Sequence, residues 1–368
     1  VIHVVHVVVA GEVGGAERML VDLASSGETP AIRHSVAVLS PDDRVARLFR
    51  SASLRVVERR SREGPLPFLW QSLGRSAVRW LVEALSREQA TVVHLHTFAS
   101  QVVGTRAALA LGLPTVRTEH STRAFVDPTC WPFARWSLAR ASASVSVSRH
   151  VRDVALARAP WAASRARVIP NGVDVTRFAP GPELPDGPLR VAVVGRLEPR
   201  KGVDRAIEAA ARLPSLRLDV LGDGGLRASL EEHARRLGAT DRVRFLGFVD
   251  DVRPALARCH ALLCTSRSEG LGVALLEGMA MGRPVVGFRV GGAGEIVDDE
   301  LGSLLTAPDD VAALVALLRQ AAEEPGMLRA LGPRARARVV ERFSAAAMRD
   351  AYARTYEEAL AGATLRAS

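Results

Sequence analysis

A single lysine stands among 49 basic residues, and it lies in the segment Val193–Gly202 (VVGRLEPRKG). Arg196 and Lys201 of this loop could converge on a diphosphate, the guanidinium as a planar fork and the ammonium as a point charge. Gly195 permits the tight turn such a loop needs after a strand. Basic loop residues are usually just solvated; the isolation of Lys201 in an arginine-biased chain argues for a role that needs a compact ammonium. As an exposed loop charge it should contribute little to stability. A second segment, Ser268–Ala280 (SEGLGVALLEGMA), holds two carboxylates, Glu269 and Glu277. Their spacing is common by chance and says little alone. The context says more. Gly270, Leu271 and Gly272 open a helix, Glu269 precedes it, and Glu277 falls over a turn inside it. A helix N-terminus holds phosphate or sugar oxygens, and carboxylates accept hydrogen bonds from sugar and ribose hydroxyls.

A third segment, Gly11–Arg18 (GEVGGAER), follows an apolar run. Gly15 would let backbone N–H groups approach a phosphate at a helix start. The dinucleotide fingerprint is broken, because Val13 and Ala16 stand where G-x-G-x-x-G needs glycine. A nicotinamide enzyme is therefore disfavoured. Asp-x-Asp occurs nowhere in the chain, so no metal is expected at a donor site. His94 and His96 share a strand face; His94 reads as core, and His96 is open between core and site. Ile169–Asp174 (IPNGVD) and Gly287–Glu295 (GFRVGGAGE) read as structural turns by themselves.

Positioning such loops requires strands that end where they begin. β-rich runs alternate with helical stretches, the pattern of parallel α/β architecture. Strands are expected at 2–9, 35–39, 91–96, 115–118 and 143–147, then at 190–194, 217–221, 243–245, 261–264, 284–288 and 303–305. Helices are expected over 225–237 and 310–323. Between the two series lies Ala179–Pro188 (APGPELPDGP), with four prolines and two glycines, read as a linker. Two domains of open α/β sheet are expected, 1–178 and 189–344, with ligands at the carboxyl ends of the strands, in a cleft between the domains. The three cysteines, Cys130, Cys259 and Cys264, form no C-x-x-C pair and read as reduced, buried thiols. No signal peptide or bilayer-spanning run is read, so a cytoplasmic protein is expected.

Taken together, GGAER, IPNGVD, GRLEPRKG, EGLGVALLEGMAMGRPVV and VGGAGEIV resemble the retaining glycosyltransferases of family 4, in order over nearly the whole chain. The resemblance implies the GT-B fold, two Rossmann-like domains facing across a cleft, with a nucleoside diphosphate sugar as donor substrate and no cofactor. It implies that Arg196 and Lys201 bind the donor diphosphate and that Glu277 holds the ribose hydroxyls. Glu269 would lie near the donor sugar's hydroxyls, wrapped by Gly270–Gly272, and Gly15 would approach the phosphates. His120 falls where the family often carries an active-site histidine; His-Asp is common there, and this chain has His120-Ser121. The last helix, about 345–360, would pack back on the first domain. Retention would come from same-face attack, the leaving phosphate accepting the proton. UDP is favoured over GDP. A GT-B epimerase or phosphorylase would use the same fold.

Charge is uneven. Up to Pro180 there are 23 arginines against 14 acidic residues, and from Gly181 on 26 basic against 26 acidic. All five tryptophans, Trp70, Trp80, Trp131, Trp136 and Trp161, lie in the basic half. Arg59, Arg60 and Arg62 before Pro65–Trp70 suit an anionic membrane surface, so a lipid-linked or cell-envelope acceptor is expected and no nucleic acid. The alternatives are a soluble acceptor stacked on Trp131 and Trp136, or Trp70 and Trp80 as core residues.

Overall fold

The computed structural model describes residues 1–25, 32–60, 74–180, 186–297 and 301–367. It divides into two compact units, Val1–Gly172 with Ala345–Ser368, and Val173–Ser344. The first unit holds β1 (Ile2–Val9), β2 (Ile32–Ser40), β3 (Arg55–Arg60), β4 (Val92–Leu95), β5 (Thr115–Glu119), β6 (Ala143–Ser146) and β7 (Ala166–Val168). They form one parallel sheet in the order β3-β2-β1-β4-β5-β6-β7. The second holds β8 (Arg190–Val194), β9 (Arg217–Leu221), β10 (Val243–Gly247), β11 (Ala261–Cys264), β12 (Val285–Phe288) and β13 (Leu305–Thr306). Its parallel order is β10-β9-β8-β11-β12-β13. In each sheet the chain reverses its direction of growth beside the first strand, between β1 and β4 and between β8 and β11. Such switch points open crevices at the carboxyl ends of the strands, where ligands bind.

The valine run of β1 is buried throughout from Val4 to Val9, as expected of a parallel strand covered on both faces. Val5, Val7 and Val9 pack with Leu81, Leu85 and Val103. The opposite face carries His6 and, beside it in register, His94 of β4. The C-terminal helix, Ala345–Ala367, covers this face. Its Tyr356 Oη lies 2.8 Å from His94 Nδ1, and Tyr352 Oη lies 2.8 Å from Thr118 Oγ1.

Some elements differ from the sequence expectation. β3 and β7 were not foreseen. Both lie at the outer edges of the sheet, where β3 (RVVERR) carries charge. The last expected strand, 303–305, is shifted to Leu305–Thr306. The chain passes between units at Gly172 and Val173, so the segment expected as a linker, 179–188, falls within the second unit's span; 181–185 lie outside the described residues. Among the described residues no helix is long and apolar enough to cross a membrane.

Close strand approach explains one glycine in particular. Gly287 of β12 has φ 148°, and a Cβ there would lie 2.1 Å from the Cys264 carbonyl oxygen. Backbone cannot retreat as a side chain can. Gly287→Ala should therefore lower the thermal midpoint followed by circular dichroism. Gly11→Ala, where a Cβ meets nothing within 4 Å, should leave it unchanged. Equal midpoints for the two variants would contradict this account of the β11–β12 packing.

Candidate active site

Lys201 and Glu269 meet at the switch point of the second sheet. Lys201 follows β8 on a single turn, Pro199–Lys201, and Glu269 follows β11. Lys201 Nζ donates to Glu269 Oε2 at 2.7 Å. Two glycines make that contact possible. Gly195 has φ 151°, and a Cβ there would lie 2.9 Å from Lys201 Cε. Gly202 has φ 59° and would place a Cβ 2.0 Å from the Thr265 carbonyl oxygen. The β8 and β11 loops thus touch through positions that only glycine fills without strain.

Glu269 is buried. Ser266 Oγ donates to Oε2 at 3.2 Å, and Gly292 N–H donates to the Glu269 carbonyl at 3.0 Å. Burial pushes the carboxyl up, but the Lys201 charge and hydrogen bond, with Arg200 and Ser266, outweigh it and hold it below the usual carboxylate range. Its contribution to stability is therefore present above the unfolded pKa and is lost as pH falls through the folded one. Lys201 is not the exposed loop charge expected from sequence. Its side chain is 17% accessible and compensates a buried anion. A narrow cavity at this point is lined by Val194, Lys201, Cys264, Ser266, Glu269 and Gly272.

Arg196 extends the charge pattern outward. Its guanidinium lies 3.5 Å from Glu198, which also takes Arg200 at 2.7 Å, and Arg200 lies 4.0 Å from Glu269. Glu198, Arg200 and Ser266 were missed by sequence reasoning. Arg200 carried a usable signal, as the cation next to Lys201 in EPRK. Gly270 and Leu271 are buried beside Glu269, and Gly272, at φ 92°, caps the helix Val273–Ala280. Glu277 is buried one turn inside that helix. Gly278 brings the helix onto β11, since a Cβ there would lie 2.1 Å from Leu262 Cδ2. A larger cavity of about 730 Å³ lies elsewhere in this unit, against Pro180, Met281, Arg283, Pro333, Arg336 and Val340. It holds none of the residues above, and the chemistry is assigned by the charged groups rather than by size.

Gly15 and His120 belong to the first unit. Gly15 opens the helix Gly15–Ala24, and Glu17 Oε2 accepts from Gly14 N–H at 2.8 Å. That carboxylate at the helix start was not foreseen. His120 follows β5; burial lowers its pKa to about 4, and its Nε2 has no hydrogen-bond partner among the described residues. His94 is core, bonded to Tyr356 and to Thr118 Oγ1, the latter at 2.8 Å. His96 is buried with Nδ1 unpaired. Ring nitrogens of His6, His94 and His96 lie within 4.8 Å of one another, a grouping the sequence reading, which expected no metal, did not foresee. Both nitrogens of His6 and of His94 are already hydrogen-bonded to protein. The cysteines are buried and unpaired, burial pushing Cys259 and Cys264 up to about 12.

The surface residues expected at a membrane are partly placed. Arg59 bonds the Ser76 carbonyl and Arg60 pairs with Asp43, while Arg62 and Pro65–Trp70 lie outside the described residues. Trp80 packs against the core. Trp131, Trp136 and Trp161 each lie beneath an arginine, Arg158, Arg140 and Arg165, at 5.2, 4.8 and 5.8 Å.

Two parallel sheets with an Arg/Lys/Glu cluster at one switch point offer a charged site at the carboxyl end of the strands. Comparison with known proteins gives the family. Residues 13–177 match the family described as Glycosyltransferase Family 4, and residues 174–338 match Glycosyl transferases group 1. The 2-deoxystreptamine glucosyltransferase of Streptomyces kanamyceticus is 30% identical over 67% of this chain and 73% of its own. One chain of the human phosphatidylinositol N-acetylglucosaminyltransferase is 34% identical over 58% of this chain, which spans about half (47%) of that relative. Anabaena Alr3699/HepE, solved with UDP and glucose, superposes with TM-score 0.83 at 23% identity, over 97% of this chain and 99% of that one. The chain belongs to the family 4 glycosyltransferases, with the GT-B fold.

Two half-buried histidines of the first unit give a pH signature. His34 and His120 are each lowered to about 4 by burial. Between that value and about 6.5 the unfolded rings bind protons that the folded ones refuse, so stability falls as pH drops through this window. In a histidine NMR titration His120 should have its midpoint near 4. A midpoint near 6.5 would show a solvated ring and contradict the burial.

Proposed function

We propose that this enzyme moves a hexose or N-acetylhexosamine from a UDP-sugar to a hydroxyl acceptor, with retention and without a metal. The observation that carries the reading is the Lys201–Glu269 contact at 2.7 Å, with Arg196 and Arg200 beside it. Glycosyl transfer builds negative charge on the departing diphosphate and positive charge on the sugar ring. Lys201 and Arg196 would neutralise the leaving oxygens in a site already arranged for charge. Glu277 would accept from the ribose hydroxyls, and Glu269, with the backbone of Gly270–Gly272, would hold the sugar. Gly15 and His120 of the first unit are read as further substrate contacts. The names of the relatives support a glucosyl or N-acetylglucosaminyl donor, and UDP with glucose in the HepE structure supports the nucleotide. The acceptor is read as lipid-linked, with the enzyme at the cytoplasmic face of a membrane. The support is an exposed apolar set, Val126, Phe133 and Trp161, among the arginine–tryptophan stacks, a mix suited to an anionic interface.

Three measurements test this. Lys201→Ala strands a buried carboxylate, costing about 3 kcal/mol, and should lower the melting temperature. Lys201→Ala/Glu269→Gln should recover the melting temperature but not activity, both variants losing on the order of a hundredfold or more in turnover. Normal turnover in either would refute the assignment. By calorimetry Glu277→Ala should weaken UDP and UDP-sugar alike, whereas Glu269→Gln should spare UDP; the reverse order would overturn the division of labour. Activity should survive excess EDTA, and loss restored by magnesium or manganese would contradict the metal-free reading.

A further inference from the structure

The face of the first sheet beneath the C-terminal helix holds a run of imidazoles. His34 Nδ1 lies 2.8 Å from His6 Nε2, and His6 Nδ1 lies 2.9 Å from His96 Nε2. Burial lowers the pKa of all three rings, so each carries one N–H. Two contacts must then be made with three protons, and His6 can donate to only one neighbour. If His6 donates to His34, His96 donates to His6 and its Nδ1 is a bare acceptor. If His6 donates to His96, His34 donates to His6 and His96 Nδ1 carries the hydrogen. Neither assignment satisfies His96 Nδ1, and it has no partner among the described residues. Leaving such a group buried and unpaired is costly.

A second unmet nitrogen lies next to it. His120 Nε2 is also buried and unpartnered, and the His96 and His120 rings stack at 5.7 Å between centroids, 25° apart. His96 follows β4 and His120 follows β5, adjacent strands at the carboxyl edge where open α/β sheets bind ligands. A hydroxyl donates once and accepts twice, so it can satisfy one bare and one protonated nitrogen together.

We propose that His96 is a second ligand-contacting residue of the first unit, which with His120 clamps a single sugar-type hydroxyl of a substrate. His6 and His34 act behind it as positioning residues, since their proton order decides whether His96 accepts or donates. The proposal rests on the glycosyl-transfer reading. The hydroxyl belongs either to the donor sugar or to the acceptor. A metal is the less suitable occupant, because His6 and His94 already use both ring nitrogens.

The test compares His96→Phe, which keeps a ring without nitrogens, with His96→Asn, whose amide stands near the Nδ1 position. His96→Phe should lose roughly ten- to a hundredfold in kcat/KM for transfer, with UDP binding unchanged by calorimetry. His96→Asn should restore most of it. A rise confined to acceptor KM assigns the hydroxyl to the acceptor; weaker binding of UDP-glucose relative to UDP assigns it to the donor. Wild-type turnover in His96→Phe would overturn the proposal. So would equal losses in both variants accompanied by an equal fall in melting temperature, which is a structural role. Stoichiometric zinc retained by the wild type and lost in His96→Phe would also overturn it. Absence of UDP binding and transfer in the wild type is a different result, and it removes the functional reading itself.

Discussion

A carboxylate taken out of water must find a counter-charge, and in the second unit that constraint is met by one lysine. Glu269 is 8% exposed, and Lys201 Nζ lies 2.7 Å from it. The pair requires the β8 and β11 loops to touch, and they do so because Gly195 and Gly202 leave room for the lysine stem and the Thr265 carbonyl. It also fixes chemistry. A charged pair held in a narrow cavity by backbone and by Ser266 is preorganised, so little rearrangement is needed when an anionic ligand arrives. The same pair is weak as a source of stability, since desolvating two ions costs nearly what their attraction returns. Its retention in this form fits a site better than a staple.

The first unit meets a related constraint in a different way. Buried imidazoles there are kept neutral and are satisfied mostly by one another and by Tyr356 and Thr118. A helix from the far end of the chain supplies the tyrosines, so the C-terminus is tied into the sheet by polar contacts under an otherwise apolar cover. The two nitrogens left over, on His96 and His120, lie at the strand ends rather than deep in the sheet.

Much of this was legible in the sequence where one strand decides the pattern. β1, β8, β9 and β11 fall at the expected residues because each is a short, mostly apolar run, even though β1 carries His3 and His6 and β9 carries Asp219. The edge strands β3 and β7 were hidden, since RVVERR and ARV lack the apolar run of a central strand. The candidate residues were legible as types: Arg196, Lys201 and Glu269 stand out by charge among the glycines of their loops, and Glu277 in the helix that follows. Their pairing was not. Lys201 and Glu269 are 68 residues apart and become neighbours only because β8 and β11 are adjacent across the switch point. The histidine run is similar. His94 and His96 share a face by strand parity alone, but His6 joins them only through the β1–β4 register.

Because the chain has a single lysine, its ammonium can be watched alone. Protein grown with ¹⁵N-lysine should give one Lys201 Nζ resonance, protected from solvent by Glu269. The account predicts that adding UDP shifts this resonance along a saturable curve whose Kd equals that from calorimetry. An Nζ resonance that stays unmoved when UDP is bound at saturation would contradict the claim that Lys201 contacts the donor diphosphate.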